Sequence, residues 1–259
     1  MISITDQIGH LVEFKQTPKR IISLVPSQTE LLHDLGLGTE VIGITKFCVH
    51  PESWRKSKAI IGGTKNIHHD KIAQLKPDLV IANKEENTKE DIQKLQELYP
   101  VYTSDIFTIQ ESFKMMDDLG SLLNKQQEAL SLIKYIQNSF KQVKKFNNET
   151  VAYIIWQKPF MLAGRKTFIH SILKLAGFQN IIVSNESRYP EVSLDELKKL
   201  NPDFIFLSSE PFPFKQNHLA EIERQTKIKT VLVDGEMFSW YGSRMLQFSD
   251  YLKRLDFGQ

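Results

Sequence analysis

Asp70-Lys-Ile-Ala-Gln-Leu-Lys-Pro-Asp-Leu-Val-Ile-Ala82 and Asp195-Glu-Leu-Lys-Lys-Leu-Asn-Pro-Asp-Phe-Ile-Phe-Leu207 are two copies of one pattern. Each copy has the apolar spacing of a short helix, then a Pro-Asp turn, then the continuous apolar run of a buried strand. One copy alone would be an ordinary helix–turn–strand unit. Two copies on either side of a helical middle region predict two similar lobes.

Strand and helix patterns alternate around both copies. Residues 2–14 alternate around Gly9-His10 and predict a hairpin, and Ser27 with Glu30 forms a capping-box pattern at the start of a helix that ends at Gly36. Strands are predicted over 20–25, 41–45, 79–82, 101–103, 151–156, 181–183, 204–207 and 229–233, and helices over 70–76, 87–98, 170–176, 195–200 and 243–255. This alternation predicts the α/β class with parallel sheets.

The middle of the chain has no strand pattern. Between residues 109 and 143 apolar residues recur at steps of three and four, the helical period, with a break at Gly120 and a helix cap at Asn124. We predict a backbone helix over about 125–146, roughly 30 Å long. The predicted organisation is an N-terminal α/β lobe (1–107), a bridging helical segment (108–147) and a C-terminal α/β lobe (148–259).

Composition excludes several classes of protein. The 259 residues carry 33 basic and 31 acidic side chains, a net charge of +2, which argues against nucleic acid as the main partner. No apolar stretch approaches the roughly 20 residues needed to cross a bilayer, so we expect no membrane insertion, and we expect a monomer. No signal-peptide pattern is visible at the start. We therefore expect an extracytoplasmic protein if a signal has been removed, and a cytoplasmic one if Met1 is the native start.

Enzyme motifs are absent from the sequence. It has no Gly-x-x-x-x-Gly-Lys loop, no Gly-x-Ser-x-Gly elbow, no His-Glu-x-x-His and no dinucleotide fingerprint after a strand. We therefore predict a binding protein with no catalytic residues and no catalytic cofactor. An enzyme on a two-lobed α/β fold remains an alternative, because a fold alone does not exclude one.

Four segments carry a resemblance to a known family: Arg20-Ile-Ile-Ser-Leu-Val-Pro-Ser-Gln-Thr-Glu-Leu31, Leu75-Lys-Pro-Asp-Leu-Val-Ile-Ala82, Ala163-Gly-Arg-Lys-Thr-Phe-Ile169 and Leu200-Asn-Pro-Asp203. The chain resembles the helical-backbone metal receptors, the substrate-binding proteins of ABC transporters for cobalamin, haem and iron-siderophores. Within that family it looks closest to the cobalamin-binding branch.

The resemblance implies a class III periplasmic-binding-protein fold, with a metal chelate held between two lobes and delivered to a permease dimer. It implies a corrinoid such as cobalamin as the ligand, with haem and iron-siderophores as alternatives. A cytoplasmic protein that handles or senses corrinoid or haem, without a transport role, is a second possibility. The sequence departs from the branch at Thr64 and Asn83, where tryptophans are frequent, and keeps an aromatic residue at Phe47.

Ligands of parallel α/β lobes lie beyond the carboxyl ends of the strands, and aromatic faces suit a flat macrocycle. The predicted ligand-binding residues in these loops are Ser27, Phe47, His50, Thr64, Glu86, Trp156, Phe160, Glu236, Trp240, Tyr241 and Arg244. The alternatives are that Trp156 and Phe160 belong to the core, and that Glu236 and Arg244 form surface salt bridges.

No metal site is predicted. Cys48 and His50 are the only soft ligands close in sequence, and two ligands do not make a zinc site. Both are weak candidates, and we favour a small buried apolar residue for Cys48 and a loop or pocket-wall residue for His50. His68 and His69 are expected to be exposed at a helix start.

The repeat places Asp70 and Asp195 at equivalent positions, each at the start of a short helix. In the resembling family an acidic residue near this position in each lobe meets arginines of the transporter, so both are predicted to dock the permease. A favourable interaction with the helix dipole is the alternative reason for both.

Overall fold

The structure, a computed structural model, describes residues 2–181, 184 and 186–257. The chain forms two compact units. The first contains the described residues up to Ile106, Gln110–Ile136 and Tyr241–Arg244, and the second contains Phe107–Ile109, Gln137–Trp240 and the described residues from Met245 onward. Each unit has helices and a largely parallel sheet, which confirms the predicted α/β class. The segment predicted to bridge the lobes, 108–147, is divided between the two units after residue 136, and residues 241–244 belong to the first unit.

The first unit opens with an antiparallel hairpin of β1 (Ile2–Thr5) and β2 (Leu11–Phe14), as predicted. Its further strands are β3 (Ile21–Ser23), β4 (Val41–Ile44), β5 (Ala59–Ile60), β6 (Gly62–Gly63), β7 (Asn66–Ile67), β8 (Leu79–Asn83) and β9 (Val101–Ser104), and its first four helices are α1 (Pro26–Asp34), α2 (Glu52–Ser57), α3 (His69–Leu75) and α4 (Lys89–Gln96). The main sheet is parallel, in the order β5-β4-β3-β8-β9. Every residue of β8 is buried, as expected for a parallel strand covered on both faces.

Two helices, α5 (Ile109–Leu122) and α6 (Gln126–Phe140), form the helical middle of the chain. The break between them is present, but Asn124 there adopts a left-handed backbone conformation (φ 55°) and does not cap α6. Gly120 of α5 lies so close to α6 that a Cβ atom at this position would stand 2.6 Å from Cβ of Ala129. A glycine is therefore required where the two helices meet.

The prediction that α6 continues to about residue 146 is wrong, and its 15 residues span about 22 Å. Beyond Phe140 the chain turns, and the amide of Phe146 donates to the carbonyl of Ala176. The ring of Phe146 stacks on Phe178 with centroids 4.1 Å apart. The apolar residues that extended the helical period thus belong to the core of the second unit.

The second unit contains the strands β10 (Thr150–Trp156), β11 (Phe160–Leu162), β12 (Gln179–Asn180), β13 (Glu191–Val192), β14 (Phe204–Ser208) and β15 (Thr230–Val233). Its helices are α7 (Phe168–Ala176), α8 (Leu194–Leu200), α9 (Gln216–Thr226), α10 (Gly235–Ser239) and α11 (Phe248–Arg254). The sheet order is β13-β11-β10-β14-β15, with β12 beside β10. Strands β12 and β14 run parallel to β10, and β15 runs parallel to β14. Strand β11 is antiparallel to both β10 and β13. This sheet is therefore mixed at one edge, where a parallel sheet was predicted.

Two local predictions need correction, a third falls partly outside the described residues, and one helix was not predicted. Helix α1 begins at Pro26, so Ser27 lies inside it and does not cap it, while an unpredicted capping box forms between Ser193 and Glu196. The last helical region starts as a 3-10 helix, Ser243–Gln247, before α11. The predicted strand over 181–183 lies partly outside the described residues, and helix α9 was not predicted.

The repeat is confirmed in detail. Helices α3 and α8 have seven residues each and are followed by left-handed residues, Lys76 (φ 47°) and Asn201 (φ 44°). The aspartate of each Pro-Asp turn binds the start of a neighbouring strand. The Asp78 carboxylate accepts from the amides of Lys19 and Arg20, both at 2.8 Å, and Asp203 accepts from the amide and hydroxyl of Thr150, both at 2.7 Å.

Asp203→Ala is expected to lower the free energy of unfolding by about 1 kcal/mol at pH 7, because two hydrogen bonds to an ionised acceptor are lost at an exposed site. The hydrogen bonds from Thr150 lower the pKa of Asp203 below its usual 3.8, so this contribution is present above that pH and is lost as the pH falls through the folded-state pKa. Urea unfolding at pH 7 and pH 3 measures both effects. Glu97→Ala, at an exposed carboxylate after α4, should change little, and an equal effect of the two substitutions would contradict the role of Asp203.

Candidate functional site

The loop after β4 presents one aromatic ring to solvent in the first unit. Phe47 is 50% exposed, and the ammonium of Lys46 lies 5.0 Å from its ring centroid. The next residue, Cys48, points the other way and is fully buried. Its Sγ lies 3.0 Å from the hydroxyl of Thr29 and 3.2 Å from that of Thr45, and burial raises the pKa of the thiol. Cys48 thus packs inside the unit while Phe47 remains accessible.

A buried polar network underlies the carboxyl ends of β8 and β9. The Asn83 side chain donates to the Ser104 carbonyl and hydroxyl, at 3.1 and 2.9 Å, and accepts from the amides of Glu85 and Glu86, at 2.8 and 3.0 Å. Asn87 donates to the carbonyl of the buried Thr64 at 3.0 Å. Asn83 and Asn87 thereby fix the turn that carries Glu86. Sequence reasoning did not single out this positioning role, although Asn–x–x–x–Asn directly after a buried strand is a signal for it.

Tyr241 and Arg244 enter this same unit. The Tyr241 hydroxyl lies 3.4 Å from the Gln28 amide nitrogen, and Gln28 also donates to Ser104. Arg244 Nε donates to Glu30 at 2.9 Å, and its Nη2 lies 2.8 Å from the other carboxylate oxygen. The side chains of Arg244 and Glu30 are 8% and 12% exposed, so this is a buried pair and not the surface salt bridge weighed from the sequence.

Burial raises the pKa of Glu30, and Arg244 opposes the shift. The charge of half-buried His50 also lowers the pKa of Glu30. Ser27 lies in the first turn of α1, nearly buried. The first unit thus contains seven of the predicted ligand-binding residues, namely Ser27, Phe47, His50, Thr64, Glu86, Tyr241 and Arg244.

The second unit also presents an exposed aromatic ring at a strand end. Trp156, the last residue of β10, is 40% exposed, and its ring stands edge-on to Phe212 with centroids 5.8 Å apart. Phe160, the first residue of β11, is partly buried against the core cluster of this unit. Trp156 is therefore more accessible than Phe160.

Trp240 is only 8% exposed. Its indole N–H donates to Glu210 at 2.8 Å, and the Ser239 hydroxyl donates to the same oxygen at 2.8 Å. Burial raises the pKa of Glu210, and the charges of Glu236 and Asp234 raise it further. The half-buried Glu236, a predicted ligand residue, thus lies in an acidic region at the ends of β14 and β15.

Asp70 and Asp195 are both exposed in the first turn of their helices. Asp195 forms an ion pair with Lys198 at 2.8 Å, and this hydrogen bond lowers the pKa of Asp195. Within the described residues, no group of three or more His, Cys, Asp or Glu side chains has an arrangement that could hold a metal ion. No helix formed by the described residues has the length and apolar character needed to cross a membrane.

A family model described as periplasmic binding protein matches residues 21–236, which is most of the chain. The chain belongs to this family. The resemblance to the helical-backbone metal receptors is thereby confirmed, and the periplasmic binding proteins are substrate-binding proteins, not enzymes.

Relatives of this periplasmic binding protein carry related descriptions. An uncharacterised ABC transporter substrate-binding lipoprotein, YvrC, from Bacillus subtilis is 25% identical over 261 residues, which cover 95% of this chain and 82% of the relative. A vitamin B12-binding protein from Vibrio campbellii is 26% identical over 195 residues, covering 73% and 70%. Among solved structures, the haem-binding protein BhuT in complex with two hemes has a TM-score of 0.78 at 17% identity, covering 91% of this chain and 97% of that one. The last likeness shows the fold alone.

Proposed function

We propose that this periplasmic binding protein captures a corrinoid outside the cytoplasm and delivers it to an ABC transporter. The observation that carries the proposal is an exposed, braced aromatic ring at the carboxyl end of a parallel strand in each unit, Phe47 in one and Trp156 in the other. Relatives described as an ABC transporter lipoprotein and as a vitamin B12-binding protein support it.

Exposed aromatic rings held in place by neighbours suit a flat, largely apolar ligand, because ring faces bury area on binding at a small cost in side-chain freedom. Polar groups in the same unit as each ring then orient the ligand. Thr64 and the well-fixed Glu86 supply an acceptor and a carboxylate in the first unit, and Glu236 supplies a carboxylate in the second. Carboxylates pair with N–H donors, so a ligand edged with amides fits this set better than one edged with carboxylates.

A titration of the purified protein with cyanocobalamin, haemin and a ferric siderophore tests the ligand. The expected result is a one-to-one complex with the corrinoid at micromolar or tighter affinity, measured by calorimetry and by the visible absorption of the bound chromophore. If haemin or the siderophore binds more tightly than the corrinoid, that compound is the ligand and the transport role is unchanged. No binding of any of the three would contradict the proposed function.

Trp156→Ala is expected to weaken ligand binding by roughly 1–3 kcal/mol, a loss of about 5- to 150-fold, because an exposed aromatic contact is removed. The thermal midpoint should change little, since the ring is 40% exposed. Tyr135→Ala is the matched control, an aromatic residue on α6 that is 65% exposed and does not follow a strand. Equal affinity of both variants would remove Trp156 from the site.

The double charge reversal Asp70→Lys with Asp195→Lys is expected to leave ligand affinity unchanged and to abolish uptake through the cognate transporter. Two exposed carboxylates at equivalent positions of the repeat give a permease dimer one acidic contact on each unit. Charges at the periphery of an interface control the rate at which the partners meet. Uptake is measured with ligand-loaded protein and the permease reconstituted in vesicles. Glu97→Lys with Asp250→Lys changes the charge equally at exposed positions of the same units and should leave uptake intact. Uptake that survives in the first variant would exclude these residues from docking.

The extracytoplasmic location has its own test. In cells with the outer envelope removed, added protease should degrade the native protein while a cytoplasmic marker survives. Protection from the protease would instead favour a cytoplasmic protein that handles or senses a corrinoid.

A further inference from the structure

The repeat also allows the two units to be compared at the space between two successive helices in each unit. Helix α4 follows β8 in the first unit as α9 follows β14 in the second, so α3 and α4 correspond to α8 and α9. The repeat aligns Asp70 with Asp195, and therefore His69 with Leu194, the first residue of each first helix. The third residue of each second helix is Asp91 in α4 and His218 in α9.

In the first unit these equivalent residues bond directly. His69 Nε2 lies 2.7 Å from Asp91 Oδ1, and the Thr88 hydroxyl donates to the other oxygen of Asp91 at 2.7 Å. The bond joins the first turns of α3 and α4. In the second unit a leucine and a histidine stand at these positions, and they cannot form such a pair.

The space between α8 and α9 is instead an open groove of ≈ 750 Å³. Leu194 and His218 line it, together with the turn that joins β10 to β11 and the end of β13. Its apolar lining includes Val192 and Ile222, which belong to the buried core of the unit, and Phe160, which packs against that core. Val192 and Ile222 are nearly buried, so the accessible apolar lining of the groove comes from the half-buried Phe160 and Leu194.

Acidic side chains dominate the rim of the groove. Among the described residues that line it, the acidic ones are Glu191 of β13, Glu196 of α8 and Glu221 of α9, and the one lysine is Lys158. Hydrogen bonds from Ser193 lower the pKa of Glu196, so this carboxylate is ionised at neutral pH. His218 accepts from the amide of Lys215 through Nδ1 at 2.9 Å, which leaves Nε2 protonated in the neutral ring.

We propose that this groove binds a segment of a protein partner in which basic side chains alternate with apolar ones. The apolar side chains would cover Phe160 and Leu194, and the basic ones would meet the carboxylates. The three carboxylates lie on three different elements, so a segment with several basic groups can satisfy more of them than one small cation can. This inference does not depend on the ligand of the proposed function.

The test uses synthetic peptides and the full-length, ¹⁵N-labelled protein. The peptide acetyl-Arg-Leu-Arg-Leu-Arg-amide should shift amide resonances of α8, α9 and the β10–β11 turn, and its affinity should fall as salt is added. The peptide acetyl-Glu-Leu-Glu-Leu-Glu-amide should bind at least tenfold more weakly. Benzyltrimethylammonium tests a small-molecule site, and if it binds more tightly than the arginine peptide, the protein partner is excluded.

Two variants address the groove itself. Leu194→His with His218→Asp copies the bonded pair of the first unit and should close the groove, and Glu191→Lys with Glu221→Lys reverses the rim at two exposed positions. Both variants should bind the arginine peptide at least tenfold more weakly. Leu98→His, at a leucine that is 64% exposed, should leave the affinity for this peptide unchanged. Unchanged affinity in the rim variant, or resonance shifts confined to other parts of the protein, would overturn the proposal. Corrinoid binding is measured on the same samples, so that failure of the proposed function and failure of this inference are separate results.

Discussion

Trp240→Ala is expected to lower the free energy of unfolding of the second unit by about 3–5 kcal/mol, the usual cost of removing a buried tryptophan. Trp240 is 8% exposed, and its indole N–H and the hydroxyl of the preceding residue, Ser239, both donate to Glu210. The substitution leaves a cavity and removes a donor from a buried carboxylate. Hydrogen exchange of β14 and β15, followed by mass spectrometry, measures the loss in this unit.

The comparison with Trp156→Ala separates a core tryptophan from an exposed one. Trp156→Ala should affect ligand affinity with little loss of stability, and Trp240→Ala should do the reverse. If Trp240→Ala weakens ligand binding at unchanged stability, the original prediction of Trp240 as a contact residue stands and its structural role is minor.

A pH series distinguishes the lost hydrogen bond from the lost volume. The indole N–H lowers the pKa of Glu210, whose folded-state value is already above the usual 4.5 because of burial, so Trp240→Phe should raise it further. A raised carboxyl pKa favours the folded state at low pH and costs stability as the pH rises through it. Trp240→Phe should therefore be more destabilising at pH 7 than at pH 4, and Glu210→Gln should remove this difference.

Arg244→Ala is expected to destabilise the first unit by about 3–5 kcal/mol, because it leaves the buried carboxylate of Glu30 without its cation. Hydrogen exchange of the backbone amides of β3 and β8 should become faster, while the amides of β14 and β15 remain protected from exchange. The effect should shrink at acidic pH, since burial raises the pKa of Glu30 and a protonated Glu30 needs no cation.

The double variant Arg244→Met with Glu30→Gln is the matched test, because it removes both charges and keeps most of the volume. It should recover much of the lost stability. Lys198→Ala, which breaks the exposed ion pair with Asp195, should leave the stability nearly unchanged. If the double variant is as unstable as Arg244→Ala, the hydrogen-bonded ion pair itself, and not only the cost of an unpaired carboxylate, holds the segment.

The sequence predicted the features whose signals are local. The repeat, the hairpin and the parallel strands each follow from a periodic apolar pattern within one short stretch, and they were found except for the strand predicted over 181–183, which lies partly outside the described residues. Helix α6 was predicted too long because Phe146 continues the helical period but packs on Phe178 instead, and periodicity does not distinguish the two outcomes. The antiparallel strands β11 and β13 have three and two residues, too few for a pattern.

The site was harder to predict because exposure depends on distant partners. Trp156 ends β10 and Trp240 follows α10, yet nothing local in the sequence shows that the first ring is exposed and the second is covered. The bond between Arg244 and Glu30 joins residues 214 positions apart, so the sequence offered only two unconnected charges. The roles of Phe47, Trp156 and Glu236 in ligand binding remain predictions.

The return of Tyr241–Arg244 to the first unit has a consequence for biosynthesis. A ribosome makes the chain from its amino end, and most of the first unit is available once residue 136 has emerged. Its Glu30 then stays without its arginine until residue 244 follows, after nearly all of the second unit has been made. A nascent chain stalled before that point should display an acidic, accessible gap in its first half, and a fragment ending at residue 147 should share the same defect.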